Sequence, residues 1–118
     1  MTPESTHTEA VVRRHLRAFL ERRGVAEILR DYADDACFLS DGRSYCGKPA
    51  IRAFFEGFLA GLAPQTVDRF ALRSLRVEGD VAQITWSAVP DIALGTDTFV
   101  VRNGRIVAQT FAFQPSAG

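Results

Sequence analysis

The strongest constraint on the fold is a change of period at Val67. Upstream, apolar residues recur at helical spacing. Downstream, four runs alternate with a period of two: Val67 to Glu78, Val81 to Val89, Ile92 to Val101 and Arg105 to Gln114. The turns between them are short: Glu78-Gly79-Asp80, Pro90-Asp91 and Arg102-Asn103-Gly104. Strands joined in this way lie antiparallel, and helices gathered ahead of them cover one face of the sheet. The pattern predicts an α+β fold in a single domain over residues 1–118, with no repeats or linkers.

The upstream half supplies the covering helices. Val12, Leu16, Phe19 and Leu20 form the apolar stripe of a helix over Thr8–Arg23, stopped by Gly24. His15 lies on the inner flank of that helix. A short second helix is expected from Val25 to about Tyr32. A strand from Ala36 to Ser40 then turns at Asp41-Gly42 into Arg43–Cys46. Pro49 opens a third helix whose inner stripe is Ile51, Phe54, Phe55, Phe58 and Leu59.

One residue is out of character with its strand. Asp97 sits inside the run Ile92–Val101, and an acid on a buried sheet face has to be paired, hydrogen-bonded or protonated. Asp97 is therefore the first candidate for chemistry. Trp86 alternates with Ile84 and Ala88 and points toward the helices, where it either packs or stacks on a ligand.

Fourteen basic and fourteen acidic side chains leave no net charge, and nothing in the pattern recruits nucleic acid or an anionic membrane. Neither an apolar leader nor a bilayer-length apolar run is visible, so a cytoplasmic protein is expected. The sequence shows no metal-ligand spacing, P-loop or dinucleotide fingerprint, which predicts chemistry without metal or cofactor. Cys37 and Cys46 read as free buried thiols in a reducing compartment. A two-residue Asp41-Gly42 turn would nevertheless set them opposite each other, within reach of a cross-strand disulfide.

Four strings, in order, resemble one family: Val11-Val12-Arg13-Arg14-His15, Tyr32-Ala33-Asp34-Asp35-Ala36, Gly47-Lys48-Pro49-Ala50-Ile51-Arg52-Ala53-Phe54, and the run from Asp97 through Val107. They resemble the SnoaL-like and ketosteroid-isomerase-like branch of the NTF2-like superfamily. The resemblance implies a cone, with a curved antiparallel sheet wrapped around three N-terminal helices and a mostly apolar pocket at its mouth. It also implies a homodimer through the outer sheet face, where Ile92, Leu94, Val100, Ile106 and Ala112 would lie opposite Asp97.

Whether Asp97 faces inward depends on register at Arg102-Asn103-Gly104. A two-residue turn would set it opposite Thr110; a three-residue loop would set it opposite Gln109 and Gly95 opposite Phe111. The second register is preferred because it gathers Asp97, Phe99, Gln109, Phe111 and Phe113 on one face, as the resemblance implies. In ketosteroid isomerases an Asp at the position of Asp97 stays protonated and donates to a developing enolate oxygen. The position of that family's second donor, a tyrosine, is His15 here. The position of its general base is Ser40, which cannot take a carbon-bound proton unaided, and Phe55 replaces a further hydroxyl-bearing aromatic.

Asp97 and His15 are thus the expected catalytic pair, acting as acid, base or oxyanion donor. Ser40, Tyr45, Phe55, Phe58, Trp86, Phe99, Gln109, Phe111 and Phe113 are the expected substrate-binding set. The resemblance points to isomerase- or cyclase-like proton transfer on a small apolar carbonyl or polyketide-like compound. A non-catalytic ligand-binding module and a dimeric assembly domain are the alternatives.

Overall fold

The computed structural model describes residues 2–116. Its elements are α1 (Pro3–Leu20), α2 (Val25–Leu29), β1 (Tyr32–Ser40), β2 (Arg43–Cys46), α3 (Lys48–Ala60), α4 (Pro64–Asp68), β3 (Ala71–Glu78), β4 (Val81–Ala88), β5 (Ile92–Arg102) and β6 (Arg105–Pro115). The six strands form one curved, unclosed sheet in the order β2-β1-β6-β5-β4-β3, and the fold is the expected α+β cone. Helices and sheet enclose a core in which Val12, Ile28, Ile51, Phe99 and Ile106 are buried.

Local chemistry sets the element ends. α1 begins five residues earlier than its apolar stripe indicated, because the Thr2 side chain accepts the Ser5 N–H at 3.1 Å and Pro3 occupies the first turn. Asp41 and Gly42 both take positive φ, as a tight hairpin requires, and pair Cys37 with Cys46 as expected. The two sulfurs are joined as a disulfide, and Cys46 is exposed. This corrects the expectation of free buried thiols: the turn's register places the two Cβ atoms face to face on the edge hairpin.

Three further expectations are revised. The sheet is mixed, since β1 runs parallel to β6 with Phe38 beside Gln109. A fourth helix, α4, takes the first residues of the run that was read as a strand from Val67; Pro64 starts it, and Thr66 Oγ1 donates to Asp91 Oδ2 at 2.6 Å. The β5–β6 turn follows neither proposed register throughout. Asn103 and Gly104 adopt positive φ and pair Arg102 with Arg105, as in the two-residue turn. A bulge then adds one residue on β6 between the Val101↔Ile106 and Val100↔Ala108 pairs. Asp97 consequently lies opposite Phe111, and Gly95 opposite Phe113.

The bulges also redraw the outer face. Ile92 and Ile106 are buried on the core side, not on the outside as expected, because each precedes or follows a register shift. The outward positions of β4, β5 and β6 are Val81, Leu94, Val100, Ala108 and, as expected, Ala112, among Gln83, Thr85, Thr96, Thr98, Thr110 and Gln114. This face is more polar than the alternation alone suggested.

Candidate functional site

The sheet's curvature leaves a cavity of about 70 Å³, partly open to solvent, between the concave face and helices α1, α3 and α4. Eight of the nine phenylalanines line it, all but Phe113, together with Trp86, His15, Asp97 and Gln109. Asp97 is 8 % exposed and forms part of the wall.

Asp97 is held by two N–H donors. Trp86 Nε1 donates to Oδ1 at 2.9 Å, and Gln109 Nε2 donates to Oδ2 at 2.8 Å. Gln109 is itself oriented by Tyr32, whose hydroxyl donates to Gln109 Oε1. Burial, followed by the nearby charges of Asp97 and Asp31, raises the Tyr32 pKa well above its ordinary value, so the hydroxyl keeps its proton and fixes which end of the amide faces Asp97. Strand pairing builds this chain: Tyr32 lies on β1, Gln109 on the neighbouring β6, Asp97 on β5 and Trp86 on β4.

Two opposing effects set the acidity of Asp97. Burial pushes its carboxyl up to about 6, while the hydrogen bonds from Trp86 and Gln109 pull it down. At neutral pH the group is mostly ionised, yet it is a stronger base than a surface carboxylate.

His15 also lines the cavity, edge-on to Tyr32 at 5.4 Å and to Phe99 at 5.6 Å between ring centroids. It is 4 % exposed, and its Nδ1 is buried without a hydrogen-bond partner. Burial lowers its pKa to about 4, against the upward pull of Asp31, so the imidazole is neutral at pH 7. Among the described residues no hydrogen bond joins His15 to Asp97; the two share the cavity wall as separate groups. Asp31, a buried acid not singled out in the sequence, accepts from Arg14 Nε at 2.6 Å.

Of the expected binding set, Phe55, Phe58, Trp86, Phe99, Gln109 and Phe111 line the cavity. Ser40, Tyr45 and Phe113 do not. Ser40 Oγ donates to the Phe111 carbonyl at 2.8 Å at the end of β1, Tyr45 packs on Phe38 and Phe54 from edge strand β2, and Phe113 is 43 % exposed beyond Phe111. The cavity instead recruits Phe70, just after α4, which stacks on Trp86 at 5.3 Å.

The family model of the SnoaL-like domain matches residues 12–109. This chain belongs to the SnoaL-like domain family. A search of the curated proteins finds no match. Among solved structures, an NTF2-like protein of unknown function from Mesorhizobium loti is 24 % identical with a TM-score of 0.76, the match covering 97 % of this chain and 96 % of that one. A second, from Burkholderia xenovorans, is 18 % identical with a TM-score of 0.78 over 99 % of this chain and 90 % of that one. A de novo designed protein with a curved β-sheet is 19 % identical with a TM-score of 0.75 over 98 % and 89 %. These likenesses establish the fold. A shared fold does not specify chemistry, so function has to be argued from the cavity.

One glycine positions the central hydrogen bond of this SnoaL-like site. Gly95 lies opposite Trp86, and a Cβ there would meet the indole at 2.1, 2.2 and 2.6 Å. The ring is rigid and is backed by Phe70 and Phe111, so it cannot absorb that overlap in place. Gly95→Ala is expected to displace the indole from Asp97 and to destabilise the fold by about 1–3 kcal/mol. Losing the Trp86 hydrogen bond, which favours the carboxylate, is expected to move the Asp97 midpoint above its wild-type value. A pH titration followed by the fluorescence of Trp86, the sole tryptophan, reads the shift; an unchanged midpoint would show that the indole had kept its place.

Proposed function

We propose that this protein is a cofactor-free proton-transfer enzyme of the isomerase or cyclase type, acting on a small apolar carbonyl compound in the aromatic cavity. The observation that carries this reading is a buried carboxylate, Asp97, facing an apolar cavity with both oxygens hydrogen-bonded and its pKa near 6. Asp97 takes a proton from the carbon beside the carbonyl. The C–H electron pair forms a C=C bond, and the carbonyl oxygen becomes an oxyanion. The neutral His15 imidazole, the other polar ring in the cavity, supplies an N–H to that oxygen. Asp97 then returns its proton to the same or a conjugated carbon. Phe55, Phe58, Phe99 and Phe111 exclude water and hold the apolar body.

Besides the replacements at His15, Ser40 and Phe55, this assignment differs from the ketosteroid isomerase pattern in the role of the acid itself. There the equivalent acid is a donor; here Trp86 and Gln109 both donate to it, which favours the ionised acceptor. The test is deuterium incorporation into single-ring ketones, followed by NMR in deuterated water. Exchange above the buffer rate should increase as pH rises through about 6 and level off beyond it, because the base is Asp97 without its proton. Ketones that quench Trp86 fluorescence without exchanging would favour the second reading, a ligand-binding module. That reading draws on Ser40, which occupies the family's base position yet lies outside the cavity.

The homodimer through the outer sheet face belongs to the same proposal, with Val81, Leu94 and Val100 as its apolar contribution. So does the cytoplasmic location. Among the described residues no helix is long and apolar enough to cross a membrane.

A further inference from the structure

We infer that the cavity also takes a protonated amine carrying a single-ring apolar body, bound with its ammonium group on Asp97 and its ring among the phenylalanines. Such binding needs Asp97 in the cavity but no turnover, so it goes beyond the proton-transfer reading and can survive that reading's failure.

The charge balance of the cavity carries the inference. Among its described lining residues, Asp97 is the one side chain that is charged at neutral pH. Neither of its protein partners brings a positive charge: the Trp86 indole and the Gln109 amide are neutral donors. The titratable groups on the elements around it do not compensate either. His15 on α1 is held neutral by burial, Tyr32 on β1 keeps its proton, and Asp31 beside β1 is an acid paired to Arg14 on the outer side of α1. With Tyr32 donating to its Oε1, Gln109 presents its N–H, not its carbonyl, to Asp97. The network is therefore wired for an anion that has no counter-ion in the protein.

The rest of the wall suits an organic cation. The rings of Phe and Trp carry negative π-faces, and a cage of them attracts an ammonium group once water is excluded. Gln109 and Thr66 already spend their polar groups on Tyr32, Asp97 and Asp91, so little else in the wall competes for the ligand's head group. The cavity, about 70 Å³ and partly open to solvent, admits no body larger than a single ring, part of which lies at the mouth. A small apolar amine thus satisfies charge, surface and size together, whereas a neutral alcohol of the same shape satisfies two of the three.

The test compares benzylamine with benzyl alcohol, near-isosteres that differ in charge, using Trp86 fluorescence and calorimetry on the intact chain. At pH 8 the amine should bind at least tenfold more tightly than the alcohol. Its affinity should fall about tenfold between pH 8 and pH 5, as Asp97 takes up its proton, while the alcohol's stays constant. Asp97→Asn should abolish the preference for the amine and keep the alcohol's affinity. Equal binding of the two compounds at pH 8, absence of amine binding, or an amine affinity that ignores both pH and the substitution would each overturn the inference. If the variant fails to fold, the wild-type pH comparison still decides. Failure of ketone exchange alongside amine binding would sink the proton-transfer reading and leave this one standing.

Discussion

Asn in place of Asp97 is expected to slow ketone α-proton exchange by about 10²–10⁴-fold while leaving the fold intact. The amide has nearly the carboxylate's shape but cannot take up a proton at any pH in the assay. The hydrogen-bond network can absorb the change. The substituted amide would offer one acceptor, which keeps the Trp86 N–H satisfied, and one donor, which faces Gln109. Gln109 then has to present its carbonyl, and Tyr32 accepts from the turned amide instead of donating to it. Circular dichroism and a thermal melt would verify folding, and NMR exchange rates would give the effect. An Asp97→Asn variant within threefold of wild type would remove Asp97 from the role of base, since general-base catalysis supplies at least a factor of about 100. His15→Leu is the companion: loss of the oxyanion donor should lower the rate at every pH without moving the midpoint near 6, a profile that a change in base strength would not give.

The sequence showed the site's chemistry more clearly than its geometry. Asp97 is conspicuous because an acid interrupts an apolar alternation, and that signal depends on burial, which period-two patterning reveals. Trp86 was placed on the correct face for the same reason, and Gln109 by the resemblance, through a register that the structure replaces by one of the same parity. The hydrogen-bond chain from Tyr32 to Asp97 was not legible, because it depends on β1 lying parallel to β6 across more than seventy intervening residues, and no local pattern announces a parallel neighbour. The β6 bulge was equally hidden: both turn options assumed a regular ladder, and one extra residue moved Asp97 from Thr110 to Phe111 while preserving the face. Ser40, Tyr45 and Phe113 were assigned to the pocket by family position or alternation. None lines the cavity: the Ser40 hydroxyl is taken up by the Phe111 carbonyl, Tyr45 packs against Phe54 of α3 from the edge strand, and Phe113 is exposed beyond Phe111. Phe70 was missed because its role depends on α4, whose last two residues, Val67 and Asp68, fell in an apparent strand. Gly95 reads in the sequence as a weak point in a strand; only the indole lying across it explains why a side chain is excluded.

The stability of the protein between about pH 4 and pH 6 is expected to conceal two large, opposed slopes. Asp97 holds its proton more tightly folded than unfolded, its pKa rising from 3.8 to about 6. Its contribution is therefore fully present below the unfolded value and is lost as pH rises through about 6. His15 behaves in the opposite sense, falling from 6.5 to about 4 on burial. Its contribution is present above 6.5 and is lost as pH falls through about 4. Each shift corresponds to about 3 kcal/mol across nearly the same window, so in the wild type the two cancel. Asp97→Asn leaves the His15 slope alone, and that variant should gain about 2 kcal/mol relative to wild type on going from about pH 4 to about pH 6, the part of the full shift that falls inside this window. His15→Leu leaves the Asp97 slope, and it should lose a similar amount over the same range. Urea unfolding at half-unit pH intervals would measure both, and the remaining carboxylates drop out of each difference because they are common to all three proteins. Parallel profiles for wild type and the Asp97→Asn variant would mean that Asp97 is not raised by burial. If the slopes diverge as expected, Asp97→Asn is also more stable than wild type at neutral pH, because it no longer keeps an ionised acid in an apolar wall. A carboxylate that destabilises the fold at the pH where it is ionised is poorly explained by packing, and its place in the cavity wall then argues for work done on a ligand.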